Sequence, residues 1–182
     1  MATETTTRRK FSGIQVKFLQ DFADSWLDAW NRGDAEAVAN LCTPNVVYDD
    51  PALAATAHGR REVADFVRST LRAFPDAQFT ESEPPYASRT MPKGLAPWHF
   101  EGTNTGIFDP PGFYPTGKRV IIDGTDHWWF EDGLVARYRA DYDLAAIARQ
   151  IGAMPEPGSA MEKVGVGIQR LQVRSKRRFQ RS

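Results

Sequence analysis

Two aspartates offer the first chemistry in this sequence. Asp50 ends the run Val46-Val47-Tyr48-Asp49-Asp50-Pro51, and Asp126 stands inside an apolar run that extends from Val120 to Phe130. A carboxylate among apolar side chains resists ionisation unless a cation or hydrogen-bond donors hold its charge. Its pKa then rises toward neutrality, where it serves as a general base or as an acid that keeps its proton. Asp50 also has an ordinary use, as a turn former before Pro51. Asp126, mid-strand beside Trp128, has no such use.

Side chains alternate along a strand, so each strand divides into two sets and the more apolar set faces the interior. In residues 120–130 the inward set is Val120, Ile122, Gly124, Asp126, Trp128 and Phe130; His127 and Trp129 face out. In residues 134–142 it is Leu134, Ala136, Tyr138, Ala140 and Tyr142, with Val135, Arg137, Arg139 and Asp141 outside. Trp98, Phe100, Gly102 and Asn104 point inward from the preceding strand, and Val46, Tyr48 and Asp50 share a face of the first. Both acids thus fall among Trp26, Trp30, Tyr48, Phe66, Trp98, Trp128 and Tyr138, with no Lys or Arg on the same faces. These residues, with Asn104 and with His58 from a loop, are the expected substrate-binding set. Replacing a buried, poorly paired acid such as Asp126 by Leu is expected to be neutral or stabilising.

The elements that must hold these residues follow from periodicity. Phe18, Phe22, Trp26 and Trp30 recur every fourth residue and predict a helix from Ile14 to Asn31, stopped at Gly33. Asp34 caps a short second helix, Thr43-Pro44-Asn45 is a break, and Glu62 to Phe74 reads as a third helix. From residue 78 to 142 strand patterns at 78–83, 95–105, 119–130 and 134–142 alternate with Pro- and Gly-rich turns, and Asp132-Gly133 is a hairpin signal. Asp143 caps a last helix that Gly152 ends. Helices first and antiparallel strands later give an α+β fold: a cone-shaped curved antiparallel sheet with helices on its concave face, enclosing an apolar pocket.

The 182-residue chain has 23 basic and 23 acidic residues, but they are segregated. Arg8, Arg9 and Lys10 precede the first apolar run, and Arg170, Arg174, Lys176, Arg177, Arg178 and Arg181 crowd the end. The expected organisation is a flexible N-terminus over 1–13, one domain over 14–152 and a basic tail over 153–182 without sustained periodicity. The tail lacks interleaved aromatics, so it reads as a solvated end, with neither nucleic acid nor membrane as partner. Cys42 is the single cysteine and excludes an intrachain disulfide. With no signal-peptide or membrane-spanning run, the expected location is cytoplasmic. His58, His99 and His127 lack ligand spacing, so no metal is expected, and no Gly-rich phosphate loop or nucleophile elbow suggests another cofactor. Ile121, Trp129 and Val135 leave an apolar outward patch, which predicts a homodimer.

Residues 15–152 resemble the nuclear-transport-factor-like superfamily of small cone-shaped domains. Trp30-Asn31-Arg32-Gly33-Asp34, Gly102-Thr103-Asn104-Thr105-Gly106, Pro115-Thr116-Gly117-Lys118, Asp132-Gly133 and Gln150-Ile151-Gly152 are most similar to the SnoaL-like polyketide cyclases. Tyr48-Asp49-Asp50-Pro51 and Thr125-Asp126-His127-Trp128 look like two stretches of ketosteroid isomerase, another member. The resemblance implies a general base at Asp50 and an oxyanion hydrogen-bond donor at Asp126. It departs where the isomerase tyrosine falls on Trp26 and where the aspartate of cyclases and epoxide hydrolases falls on Ala140. The function so implied is proton transfer through an enol or enolate of a small apolar carbonyl compound, polyketide, steroid or terpenoid-like, by an isomerase or cyclase. A dehydratase or epoxide hydrolase in the same pocket, or a non-catalytic binding or assembly module, are the alternatives.

Overall fold

The computed structural model describes residues 13–179. Helix α1, Val16–Asn31, buries Leu19, Phe22, Ala23, Trp26, Ala29 and Trp30, the stripe that the fourfold aromatic spacing predicts. Each large ring removes roughly 150–250 Å² of surface from water, so this stripe dominates the cohesion of the helix with the sheet. Gly33, at φ 70°, turns the chain, and Asp34 Oδ1 accepts the Ala37 N–H at 2.9 Å to start α2, Ala35–Asn40. Strand β1 runs Cys42–Asp49. It includes Thr43-Pro44-Asn45, the expected break, which appears instead as a register irregularity between Cys42 and Val47. A two-residue strand β2, Ala57–His58, leads into α3, Gly59–Ala73, one turn before the expected start.

Strands β3 (Gln78–Glu81), β4 (Tyr86–Ala87), β5 (Lys93–Thr103), β6 (Arg119–Glu131) and β7 (Leu134–Tyr142) complete a sheet in the order β2-β1-β7-β6-β5-β3, with β4 also on β5. All pairs are antiparallel except β1 with β7, which is parallel and so departs from the all-antiparallel sheet expected. Asp132 and Gly133, at φ 49° and 83°, make the β6–β7 hairpin, as a two-residue turn between twisted strands requires. The sheet is curved and unclosed, its concave side against α1 and α3.

Alternation holds over β5 and β6, where Trp98, Phe100, Asn104, Val120, Asp126, Trp128 and Phe130 are buried. It fails at Leu134 and Val135, the first two residues of β7. Trp129 pairs with Arg137 and Phe130 with Val135, so Ala136 is the extra residue of a bulge. Val135, expected outside, is therefore turned inward and fully buried. The outward apolar set behind the dimer expectation shrinks to Ile121, 46% exposed, and Trp129, whose ring lies beneath Lys93 Nζ at 4.2 Å.

Asp143 Oδ1 accepts the Ala146 N–H at 3.0 Å at the start of α4, Leu144–Gln150, and Gly152 at φ 82° follows its end. The stretch expected to be an aperiodic tail contains a helix, α5, Ala160–Phe179. Its start carries a reciprocal cap: Ser159 Oγ accepts the Glu162 N–H at 3.1 Å and Glu162 Oε2 accepts the Gly158 N–H at 2.5 Å. The capping signal Ser159-Ala160-Met161-Glu162 is legible in the sequence, and among the described side chains Met161, Val164 and Ile168 stand in solvent. The N-terminal expectation, apart from Gly13, lies outside the described residues. No described helix is long and apolar enough to cross a membrane.

Candidate active site

Asp126 occupies the middle of β6, flanked in register by Ala96 of β5 and Ala140 of β7. These two small residues leave room above the carboxylate, and the larger side chains two residues away on each neighbouring strand reach over it. Trp98 Nε1 and Tyr138 Oη both donate to Asp126 Oδ1 at 2.7 Å. Trp98 can do so only because its partner in register is Gly124: a Cβ there would sit 2.2 Å from the indole Cζ2. Asp50 lies just beyond β1. Its Oδ1 accepts the Ala52 N–H at 2.8 Å, the turn-forming role expected before Pro51, and also the Tyr142 hydroxyl at 2.6 Å. In both acids every one of these bonds falls on Oδ1, and Oδ2 receives none of them.

Asp50 and Asp126 line one cavity of about 60 Å³. Trp26, Leu27 and Trp30 close it from α1, and Phe66, Thr70 and Phe74 from α3; Trp98, Ile122, Tyr138 and Tyr142 form the sheet side. No Lys, Arg or His is among its walls. Burial is consequently the largest influence on both acids. It pushes Asp50 up to about 6 against the Tyr142 and Ala52 donors. It pushes Asp126 up to about 7 against the Tyr138, Trp98 and Trp26 donors, with the charge of Asp50 adding to the rise. Asp126 is 4% exposed, whereas Asp50 is half-buried and also borders an outer cleft formed with Pro51, Leu53, Thr56 and Arg139. Burial likewise holds the Tyr138 hydroxyl well above its ordinary pKa, so it remains a donor.

Of the residues expected to bind substrate, Trp26, Trp30, Phe66, Trp98 and Tyr138 line the cavity. Four others do not. Tyr48 stacks behind Tyr138, ring centroids 4.0 Å apart. Trp128 packs behind Trp26 and Phe22. Asn104 is fully buried but serves the backbone, donating to the Gly106 carbonyl at 2.9 Å and accepting from Thr116 N at 3.0 Å. His58 is exposed, its N–H donating to Glu62 Oε2 ahead of α3. The correction has one cause: an inward side chain reaches either the cavity or the packed layer around it, and alternation does not separate the two. Alternation turns Tyr142 inward without marking it as a site residue, although its hydroxyl holds Asp50. Phe74, Phe79 and Phe108 escape the sequence reading because no inward strand set contains them. Among the described residues no group of His, Cys, Asp and Glu is disposed to hold a metal ion.

A family model described as "SnoaL-like domain" matches residues 23–138. No curated protein matches the chain. Among solved structures, TsrD from Streptomyces laurentii superposes with a TM-score of 0.67 at 23% identity, over 78% of this chain and 99% of that one. AclR from Streptomyces galilaeus, a candidate hydroxylase, gives 0.66 at 18% over 89% and 98%. A candidate SnoaL-like polyketide cyclase from Jannaschia sp. CCS1 gives 0.62 at 19% over 74% and 93%. At these identities the structural likenesses speak to the fold alone. With the family model covering most of the domain and the cone around its two acids in place, the chain belongs to the SnoaL-like domain family.

Proposed function

We propose that the protein is a cofactor-independent acid/base enzyme that removes and returns a proton beside the carbonyl group of a small apolar compound, as an isomerase or cyclase does. One observation supports this above the others: two carboxylates share an apolar cavity that has no cation among its walls. Near neutral pH the favoured state has Asp50 ionised and Asp126 protonated, because Asp50 has the lower pKa and its charge opposes a second one. Asp50 Oδ2 is then the base. Asp126 Oδ2 carries the proton that hydrogen-bonds the developing enolate oxygen, while Tyr138 and Trp98 fix the carboxyl through Oδ1. The division of labour is that of ketosteroid isomerase, in which an apolar site keeps one carboxylic acid neutral while a second carboxylate moves the proton.

The names of the matched structures, polyketide cyclase and hydroxylase among them, agree with small-molecule chemistry. Ala140 stands where cyclases and epoxide hydrolases of the superfamily carry an aspartate, and Asp141 points away from the cavity with its side chain 47% exposed. That favours enolate chemistry over epoxide opening. The test needs no natural substrate. In D₂O the protein should accelerate loss of the α-proton NMR signals of acetone, the smallest ketone, and Asp50→Asn should not. Equal exchange with wild type, Asp50→Asn and buffer would remove the enzyme reading.

A further inference from the structure

A cavity of about 60 Å³ is small beside the roughly 300–1,000 Å³ of ordinary ligand pockets. A second space lies directly outside it. A groove of about 530 Å³ runs between α3, residues 53–57 and the loop bearing Asp109 and Pro110. Phe66, 6% exposed, is the one residue that lines both spaces. Ser69, one helical turn further on, donates its hydroxyl to the Asp109 carbonyl and ties the loop to the helix. The inner cavity and the groove therefore share the Phe66 side chain.

The groove's charges are mostly used up internally. Arg68 binds Asp65 at 2.8 Å and Glu36 at 2.6 Å, and Glu62 accepts the His58 N–H at 2.8 Å. Among the described residues, the Arg72 guanidinium and the Asp109 carboxylate make no side-chain hydrogen bond or ion pair. What the groove offers a ligand is thus one free fork of donors and one free acceptor, beside the apolar surfaces of Leu53, Phe66 and Pro110. An anionic group would meet Asp109 with its own sign and a cationic one would meet Arg72. An uncharged group carrying a donor next to an acceptor satisfies both.

We propose that this groove is the outer half of the substrate site, and that the substrate is a two-part molecule: an apolar body beside Asp50 and Asp126, and an uncharged arm of hydroxyl or carboxamide groups passing Phe66 to Arg72 and Asp109. The proposal rests on the inner cavity holding the apolar body. Hydrogen bonds to charged partners are the stronger kind, so the arm adds about tenfold in affinity.

Four probes with a common isopropyl body test it: isopropyl methyl ether, isopropoxyacetamide, isopropyl β-glucoside and isopropoxyacetate, titrated by NMR against the full chain. The amide or the glucoside, according to which source supplies the arm, should bind about tenfold tighter than the methyl ether, and isopropoxyacetate should gain nothing. Arg72→Ala, at an exposed position where folding is not at risk, should erase the gain and leave the methyl ether unchanged. Tightest binding by isopropoxyacetate, or a gain that survives both Arg72→Ala and Asp109→Asn, overturns the proposal. If the methyl ether binds and neither arm adds affinity, the groove proposal falls while the inner site stands. If no probe binds, the inner-site reading falls and takes this one with it.

Discussion

The two faces of the sheet treat the same residue type in opposite ways. Asp126 on β6 and Asp141 on β7 occupy adjacent rungs of one ladder, Asp126 opposite Ala140 and Asp141 opposite Thr125. On the concave face Asp126 meets indole and phenol donors, no cation, and a pKa pushed up to about 7 by burial. On the convex face Asp141 meets Arg139 at 2.5 Å and His127 at 2.8 Å, and Arg139 holds its carboxyl below the usual carboxylate range. Glu101 repeats the convex pattern with His99 and Arg119. Arg137, Arg139 and Arg119 all lie on the outward set, so strand alternation, which separates the faces, also separates the cations from the acids of the cavity. A one-residue slip of β6 would exchange a proton-transfer acid for a surface ion pair.

The largest test of this contrast is Asp50→Asn. It keeps the shape and removes the one ionised base, so α-proton exchange should fall by about 10²–10⁴-fold while probe binding persists. Asp126 comes next. Asp126→Leu removes the oxyanion donor and should cost about 10²–10³-fold; Asp126→Asn keeps a donor and should cost less. Equal losses in the two Asp126 variants would mean that the carboxyl supports structure and not the reaction. The expectation that Asp126→Leu stabilises the protein needs revision. Desolvation of the acid is relieved, but Trp98 Nε1 and Tyr138 Oη lose their acceptor, at a cost of about 1–3 kcal/mol for each buried donor. Asp126→Asn retains an acceptor, so it should be the more stable of the two by thermal melting.

Smaller and more diagnostic is the response to pH. The active form has Asp50 charged and Asp126 neutral, so exchange should rise as pH passes about 6 and fall as it passes about 7. Stability follows from the same shifts. Both folded pKa values lie above the unfolded value of 3.8, so from there up to about 7 the native state binds more protons than the unfolded one. The contribution of the two acids is thus intact below pH 4 and is lost as pH rises through 6 and 7. In Asp126→Asn that part of the decline should disappear. A melting temperature that is flat over this range in the wild type would show that the cavity acids are ordinary.

Much of this is legible in the sequence because alternation is a strong constraint. The inward sets of β5 and β6 name Trp98 and Asp126 together, and the four-residue aromatic spacing of α1 names Trp26 and Trp30. Three things are not legible. The bulge at Ala136 depends on how β7 registers with β6, which no local pattern encodes, so alternation assigns Val135 to the wrong face. The difference between cavity wall and packing layer depends on side-chain depth, so Tyr48 and Trp128 enter the expected site. The partners of the acids depend on cross-strand reach: Tyr142 lies 92 residues from Asp50, and its role follows only from the parallel pairing of β1 with β7. The α5 helix has a capping signal and carries Met161, Val164 and Ile168 on one face, but Gly165 and Gly167 and the charged residues that follow interrupt the pattern that periodicity relies on.

The smallest expected effect is the one that isolates the two faces. Asp141→Asn removes the partner of Arg139 and of His127 on the convex side, where the Asp141 side chain is 47% exposed. Exposed ion pairs contribute about 0–1 kcal/mol because water and salt screen them, so the melting temperature should move by no more than about 2–4 °C. His127 is already held below its ordinary pKa by burial, and Asp141 is its principal opposing influence. Loss of that carboxylate should therefore lower the His127 pKa further, measurable by NMR of the imidazole. The cavity should not register the change. Asp50 and Asp126 owe their shifts to burial and to donors on their own face, none of which the substitution touches, so both flanks of the pH profile should stay in place. If either flank moved with Asp141→Asn by as much as the His127 pKa did, the sheet would be transmitting charge between its faces, and the separation of cations from cavity acids would not be what sets the pKa values of the site.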